Sequence, residues 1–125
     1  MKLSSFAIIV AIISIGYGLS LLIIPIKFLE PYGYTLNDHG ALIARGYGIV
    51  LCQVGIIFWF SRNIPGTERS WRILLAATLF FNAVSTPVEL IAISNGVVNG
   101  MGWVTVATRV IIGGSCIYFL FRKNK

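Results

Sequence analysis

Arg45, Glu89 and Arg109 are ionisable side chains inside long apolar runs. Near the centre of a bilayer each bare charge costs about 2.5–3.5 kcal/mol on insertion scales. Three such costs demand compensation. The simplest is an Arg45–Glu89–Arg109 network in which the carboxylate bridges two guanidinium groups through charge-assisted hydrogen bonds. Two reasons for such a network stand side by side. It can staple helices and set their order, or its surplus positive charge can hold a carboxylate, a phosphate or a lipid-like ligand. Tyr17 and Ser20 reach a similar depth from the first apolar run, and Asn82 lies on the polar face of the third. Glu30, Asp38 and His39 fall at the mouth of this level.

Catalysis finds little support in the same residues. His39 is the one histidine, it lies in a connection, and no nucleophile accompanies it. No phosphate loop, HExxH motif or Cys/His cluster occurs, so no catalytic residue, metal ligand or cofactor is assigned. Cys52 and Cys116, 64 residues apart, match neither a CxxC pair nor a zinc set. Both read as small apolar fillers of buried helix faces.

The elements that would position these side chains follow from composition and run length. Of 125 residues, 57% are apolar or aromatic and 11% are charged; soluble domains carry about 25% charged residues. A water-soluble domain of this size exposes too much area to be covered by 14 charged residues. Disorder is excluded by the same apolar excess. A spanning helix takes about 20 largely apolar residues. The runs that qualify are approximately 5–24, 40–60, 71–94 and 103–121. The first reads as a retained helix, not a secretory leader, because no small-residue cleavage site follows it. A membrane β-barrel fails because its strands alternate polar and apolar residues. The expected fold is therefore all-α, a single polytopic membrane domain built as an up-down bundle of four transmembrane helices.

Each run also carries one small or polar face, as helix association in lipid requires. The first has Ser4, Ala7, Ala11, Ser14 and Gly18; the second has Ala41, Arg45, Gly48, Cys52 and Gly55. The third has Thr78, Asn82, Ser85 or Thr86, and Glu89; the fourth has Gly102, Thr105, Arg109, Gly113 and Cys116. Asn37 or Asp38 can cap the second helix. Pro87 removes a helical N–H, leaving the Ala83 carbonyl without its partner. Arg45 and Arg109 each precede a cysteine by seven residues, and both helices end in aromatics followed by Arg62 or Arg122. That parallel hints at a two-plus-two duplication. At about 1.5 Å per residue, all three charges fall near one level beneath the same interface.

Orientation follows from basic residues in short connections. Lys2, Arg62, Arg69, Arg72, Arg122, Lys123 and Lys125 lie on one side, with only Lys27 opposite. The net charge of +6 thus reflects orientation and not a nucleic-acid partner. Both termini and the middle turn 61–70 are expected in the cytoplasm, with the connection 25–40 outside.

The segment GYGLSLLIIPIKFLEPYGYTLNDHGALIARGYGIVLCQVG combines an apolar helix, a proline, an fLxxyG loop and ARGYG opening a second helix. It resembles the small bacterial four-helix membrane proteins of the DoxX-like group. The resemblance covers about 40 residues together with the four-span layout. It implies an up-down bundle in a bacterial inner membrane. Some relatives of that group are subunits of quinone-linked oxidoreductases, and others have no assigned activity. Arg45 falls at a matching position; no family site is carried to Glu89 or Arg109. Small multidrug exporters fit worse, since they need an acid in the first helix, and vitamin K epoxide reductase-like proteins need a membrane CxxC.

The expected function is that of a non-catalytic accessory or structural subunit of a larger membrane complex, in contact with lipid and with other subunits or copies of itself. The alternatives are a binding or carrier protein for an anionic or lipid-like ligand at Arg45, Glu89 and Arg109, and a quinone-linked redox subunit. The charge asymmetry makes a direct prediction. In a chain without Cys52 and Cys116, single cysteines at His39 and Asn95 react with an impermeant maleimide in intact cells, and one in the turn 61–70 does not. Labelling of that turn from outside would overturn the orientation.

Overall fold

A computed structural model describes residues 2–122 except Gly66. The basic tail residues Lys123 and Lys125, counted above for orientation, lie outside the described residues. The fold is all-α: α1 (Leu3–Ile23), α2 (Pro25–Leu29), α3 (Asp38–Ser61), α4 (Arg69–Ser94) and α5 (Gly102–Phe121), with a 3₁₀ turn at Glu30–Tyr32. Of these, α1, α3, α4 and α5 are long and apolar enough to cross a membrane. Each begins or ends within a few residues of the range read from the sequence. The chain divides into two compact units, Met1–Asn63 and Ile64–Lys125. Each unit is one helical hairpin.

In the first unit α1 packs on α3 along glycine. A Cβ added at Gly18 would lie 2.6 Å from the Gly48 carbonyl oxygen, and one at Gly48 would lie 2.6 Å from the Gly18 carbonyl oxygen. At Gly55 it would strike Ile15 and the Ala11 carbonyl. Ala7 and Ala11 are fully buried on the opposing face, and Ser14 is buried beside them. Small residues in this pattern let two backbones approach, which is how helices associate where lipid removes the hydrophobic drive. Phe6 and Phe58 close one end of the seam edge to face, with ring centroids 6.1 Å apart. Asn37 caps α3, its side-chain oxygen accepting from the Gly40 N–H at 2.8 Å.

The connection between α1 and α3 is more ordered than its composition implies. Pro25 sits at the first turn of α2, where a missing N–H costs nothing. Gly33 then ends the 3₁₀ turn at φ 88°, a left-handed conformation that favours glycine.

The second unit joins α4 to α5 through the turn 95–101. The Arg72 guanidinium donates to the Leu120 carbonyl at 3.2 Å, tying the first turn of α4 to the last turn of α5. Gly113 faces Asn82, and Gly102 sits against Ile93 and Val98. Trp71 is buried and donates through Nε1 to the Ile64 carbonyl at 2.9 Å. Pro87 is accommodated inside a continuous α4.

Two sets of glycine substitutions separate seam from surface. Gly18→Leu and Gly48→Leu overpack the α1–α3 contact and cost about 1–3 kcal/mol or more. Gly46→Ala and Gly114→Ala meet nothing within 4 Å and raise stability by up to about 1 kcal/mol through helix propensity. Thermal unfolding in detergent, followed by circular dichroism, reads both.

Candidate functional site

Polar groups at membrane depth are the natural candidates for function, because each has a cost that something must offset. Arg45 stands on α3 three residues before the seam glycine Gly48, and Ala44 takes the buried place beside it. Its side chain is exposed. Within its own unit it makes no hydrogen bond or ion pair among the described residues.

Glu89 and Arg109 lie in the second unit, both partly exposed. They form no ion pair among the described residues. The register of the hairpin offsets them along the helix axes. With Asn82 opposite Gly113 and Ile93 opposite Gly102, Glu89 is level with Val106, while Arg109 is level with Thr86, about one turn away. The Arg109 guanidinium lies over the Phe81 ring instead, 5.4 Å from its centroid. Such cation–π contacts contribute about 0.5–2 kcal/mol, depending on desolvation. Arg109 Nε is buried and has no hydrogen-bond partner among the described residues. Sequence reasoning missed Phe81, which shows no feature beyond an ordinary aromatic in an apolar run.

Asn82, expected near these charges, is buried and donates one amide N–H to its own helix. Thr78 Oγ1 donates to the Leu74 carbonyl, Asn82 Nδ2 to Thr78 and Thr86 Oγ1 to Asn82, at 2.8, 2.8 and 2.7 Å. This ladder satisfies the Thr78 and Thr86 hydroxyls and one Asn82 N–H within α4, as a lipid setting favours. Arg109 donates no hydrogen bond to the Ala83 carbonyl freed by Pro87.

Tyr17 joins a different group. Its hydroxyl is 2.9 Å from that of Tyr32, and its ring meets Phe28 edge on at 5.3 Å. Phe28 and Tyr32, aromatic residues of the connection after α1, therefore fold back onto α1. Their spacing of four residues after Pro25 is the signal in the sequence. Arg62 stacks over Trp59 at 4.1 Å and Arg122 over Tyr118 at 5.8 Å, so the second helix of each hairpin ends alike.

Four long apolar helices with ionisable groups inside them define a multi-pass helical membrane protein. No family model, curated protein or solved structure matches the chain.

The register argument is testable by a double-mutant cycle. Glu89→Gln and Arg109→Gln, singly and together, give a coupling energy within about 0.5 kcal/mol of zero in detergent unfolding, the value for groups that do not meet. A coupling above about 1.5 kcal/mol would mean that they pair.

Proposed function

We propose that this chain is a non-catalytic accessory subunit of a larger membrane complex, acting through lateral contacts in the bilayer. The observation that carries the reading is that Arg45, Glu89 and Arg109 have no ionic partner among the described residues of their own hairpins. Each needs a counter-group from elsewhere. A neighbouring membrane subunit supplies one and also uses the open glycine faces at Gly46 and Gly114, where close helix approach is sterically possible. The described segments outside the spans are short connections, which suits a subunit that works within the membrane. The resemblance to the DoxX-like group agrees with this reading, since some of its members are subunits of quinone-linked complexes. The same resemblance and the basic-residue asymmetry favour a bacterial inner membrane with both termini cytoplasmic.

The test is purification from native membranes in mild detergent. The chain is expected to co-migrate with larger membrane proteins at a fixed ratio. Arg45→Leu should release it from them while leaving the melting of the isolated chain unchanged, because Arg45 is off the α1–α3 seam. A lone monomer or homodimer that retains an anionic lipid, and loses it on Arg45→Gln or Arg109→Gln, would favour the carrier reading instead.

A further inference from the structure

The charge outside the spans of the second hairpin is gathered at one end. Arg69 and Arg72 stand in the first turn of α4, and Arg122 directly follows α5. All three are exposed. Lys123 and Lys125 come next in the sequence, and Glu68 is the one acid near these residues along the chain. At the opposite end the segment 95–102 carries no charge. The corresponding end of the first hairpin has only Lys2 and Arg62. Arg62 is half-buried, its guanidinium over the Trp59 ring and one N–H on the Trp59 carbonyl.

Two arginines of the second hairpin are held in place. Arg72 reaches across to the Leu120 carbonyl, an end-of-helix acceptor that α5 itself leaves unpaired. That contact uses one N–H of its planar fork. The Arg122 guanidinium lies over the Tyr118 ring, 5.8 Å from its centroid. Helix α5 has 20 residues and is about 30 Å long, the thickness of the hydrocarbon core. Its last turn therefore meets the edge of that core, and these guanidinium groups stand at the level of lipid phosphates. Tyr118 is 55% exposed and Phe121 81%. Open rings with cations just above them match the boundary between acyl chain and headgroup, so a lipid fits this end better than an acidic protein. Clusters of about four or more Lys and Arg just beyond a spanning helix attract anionic lipids, and arginine takes phosphate oxygens two at a time. We propose that the basic end of the α4–α5 hairpin is a binding surface for anionic phospholipid headgroups, with Arg69, Arg72 and Arg122 contacting the phosphate. The surface uses none of Arg45, Glu89 and Arg109, and it does not depend on the accessory-subunit reading.

The experiment uses the full chain, delipidated in detergent and titrated with dioleoylphosphatidylglycerol or dioleoylphosphatidylcholine under native mass spectrometry. The wild type is expected to retain the phosphatidylglycerol more tightly, and an excess of glycerol phosphate leaves that lipid in place. Arg69→Gln with Arg122→Gln keeps the Arg72–Leu120 contact and weakens retention roughly fivefold for each charge removed. Arg62→Gln, the same loss of charge on the first hairpin, changes retention less than about twofold. If the double variant proves unfolded by circular dichroism, Arg69→Gln decides alone, since it disturbs neither contact to α5. Equal retention of the two lipids, wild-type affinity in a folded charge variant, or an equal loss in Arg62→Gln would overturn the surface. So would displacement of the lipid by glycerol phosphate, the sign of a soluble phosphate ligand. Release of a protein from native membranes by a folded double variant that still retains the lipid would overturn it too, as the sign of an acidic partner.

Discussion

The contact of Gly18 with Gly48 is the constraint on which the first hairpin depends. In water two apolar helices are driven together by the loss of hydrated surface; in lipid that drive is absent, and dispersion across a close interface must replace it. Here each glycine faces the other's carbonyl, so a side chain on either strand of the seam would displace backbone. The consequence travels along both helices. Once Gly18 is on the seam, Tyr17 is turned toward the connection that follows α1, where it meets Phe28 and Tyr32. Once Gly48 is on the seam, Ala44 is buried and Arg45 is turned off it. The placement of the aromatic cluster and of a membrane-depth charge thus follows from a steric choice at one crossing.

The second hairpin solves the same problem with other means. Its seam includes Gly113 against Asn82, but α4 also carries hydroxyl and amide groups that lipid cannot satisfy. They bond to carbonyls one turn back along the same helix, from Thr86 to Asn82 to Thr78 to Leu74. Back-bonding of this kind leaves the polar groups satisfied without a partner helix. It uses one N–H of the Asn82 amide. A polar residue at membrane depth is therefore not by itself a site; what distinguishes Arg109 is a buried Nε that this internal economy does not reach.

Much of the fold was legible because its signals are local or periodic. Run length gave the four spans, Asn37 announced the start of α3, and the stripe Ala7, Ala11, Ser14, Gly18 marked the buried face of α1. The charged cluster was less legible, and the reason is geometric. Depth counted from helix ends assumes that facing ends are level. The facing ends of α4 and α5 are level to about one residue, yet Glu89 and Arg109 form no ion pair among the described residues, and no spacing within either helix encodes where their side chains turn. The folded-back connection was hidden differently. Pro25, Phe28 and Tyr32 each have an ordinary interfacial meaning, and only the position of Tyr17 on α1 turns them into one cluster.

The two hairpins share one property that bears on function. The contacts holding each together involve glycine, alanine, aromatic rings and self-satisfied polar groups, and neither requires a membrane-depth ion. A hairpin built only to pack α1 on α3 would be served as well by an apolar residue at position 45, and at lower insertion cost. The same holds for position 89 in the second unit, where the carboxylate makes no ion pair among the described residues. Arg109 differs only in degree, since a contact with the face of Phe81 offsets part of the cost of its charge. Stability within the hairpin therefore does not account for Arg45 or Glu89. What accounts for Arg45 and Glu89 lies outside the contacts that hold each hairpin together.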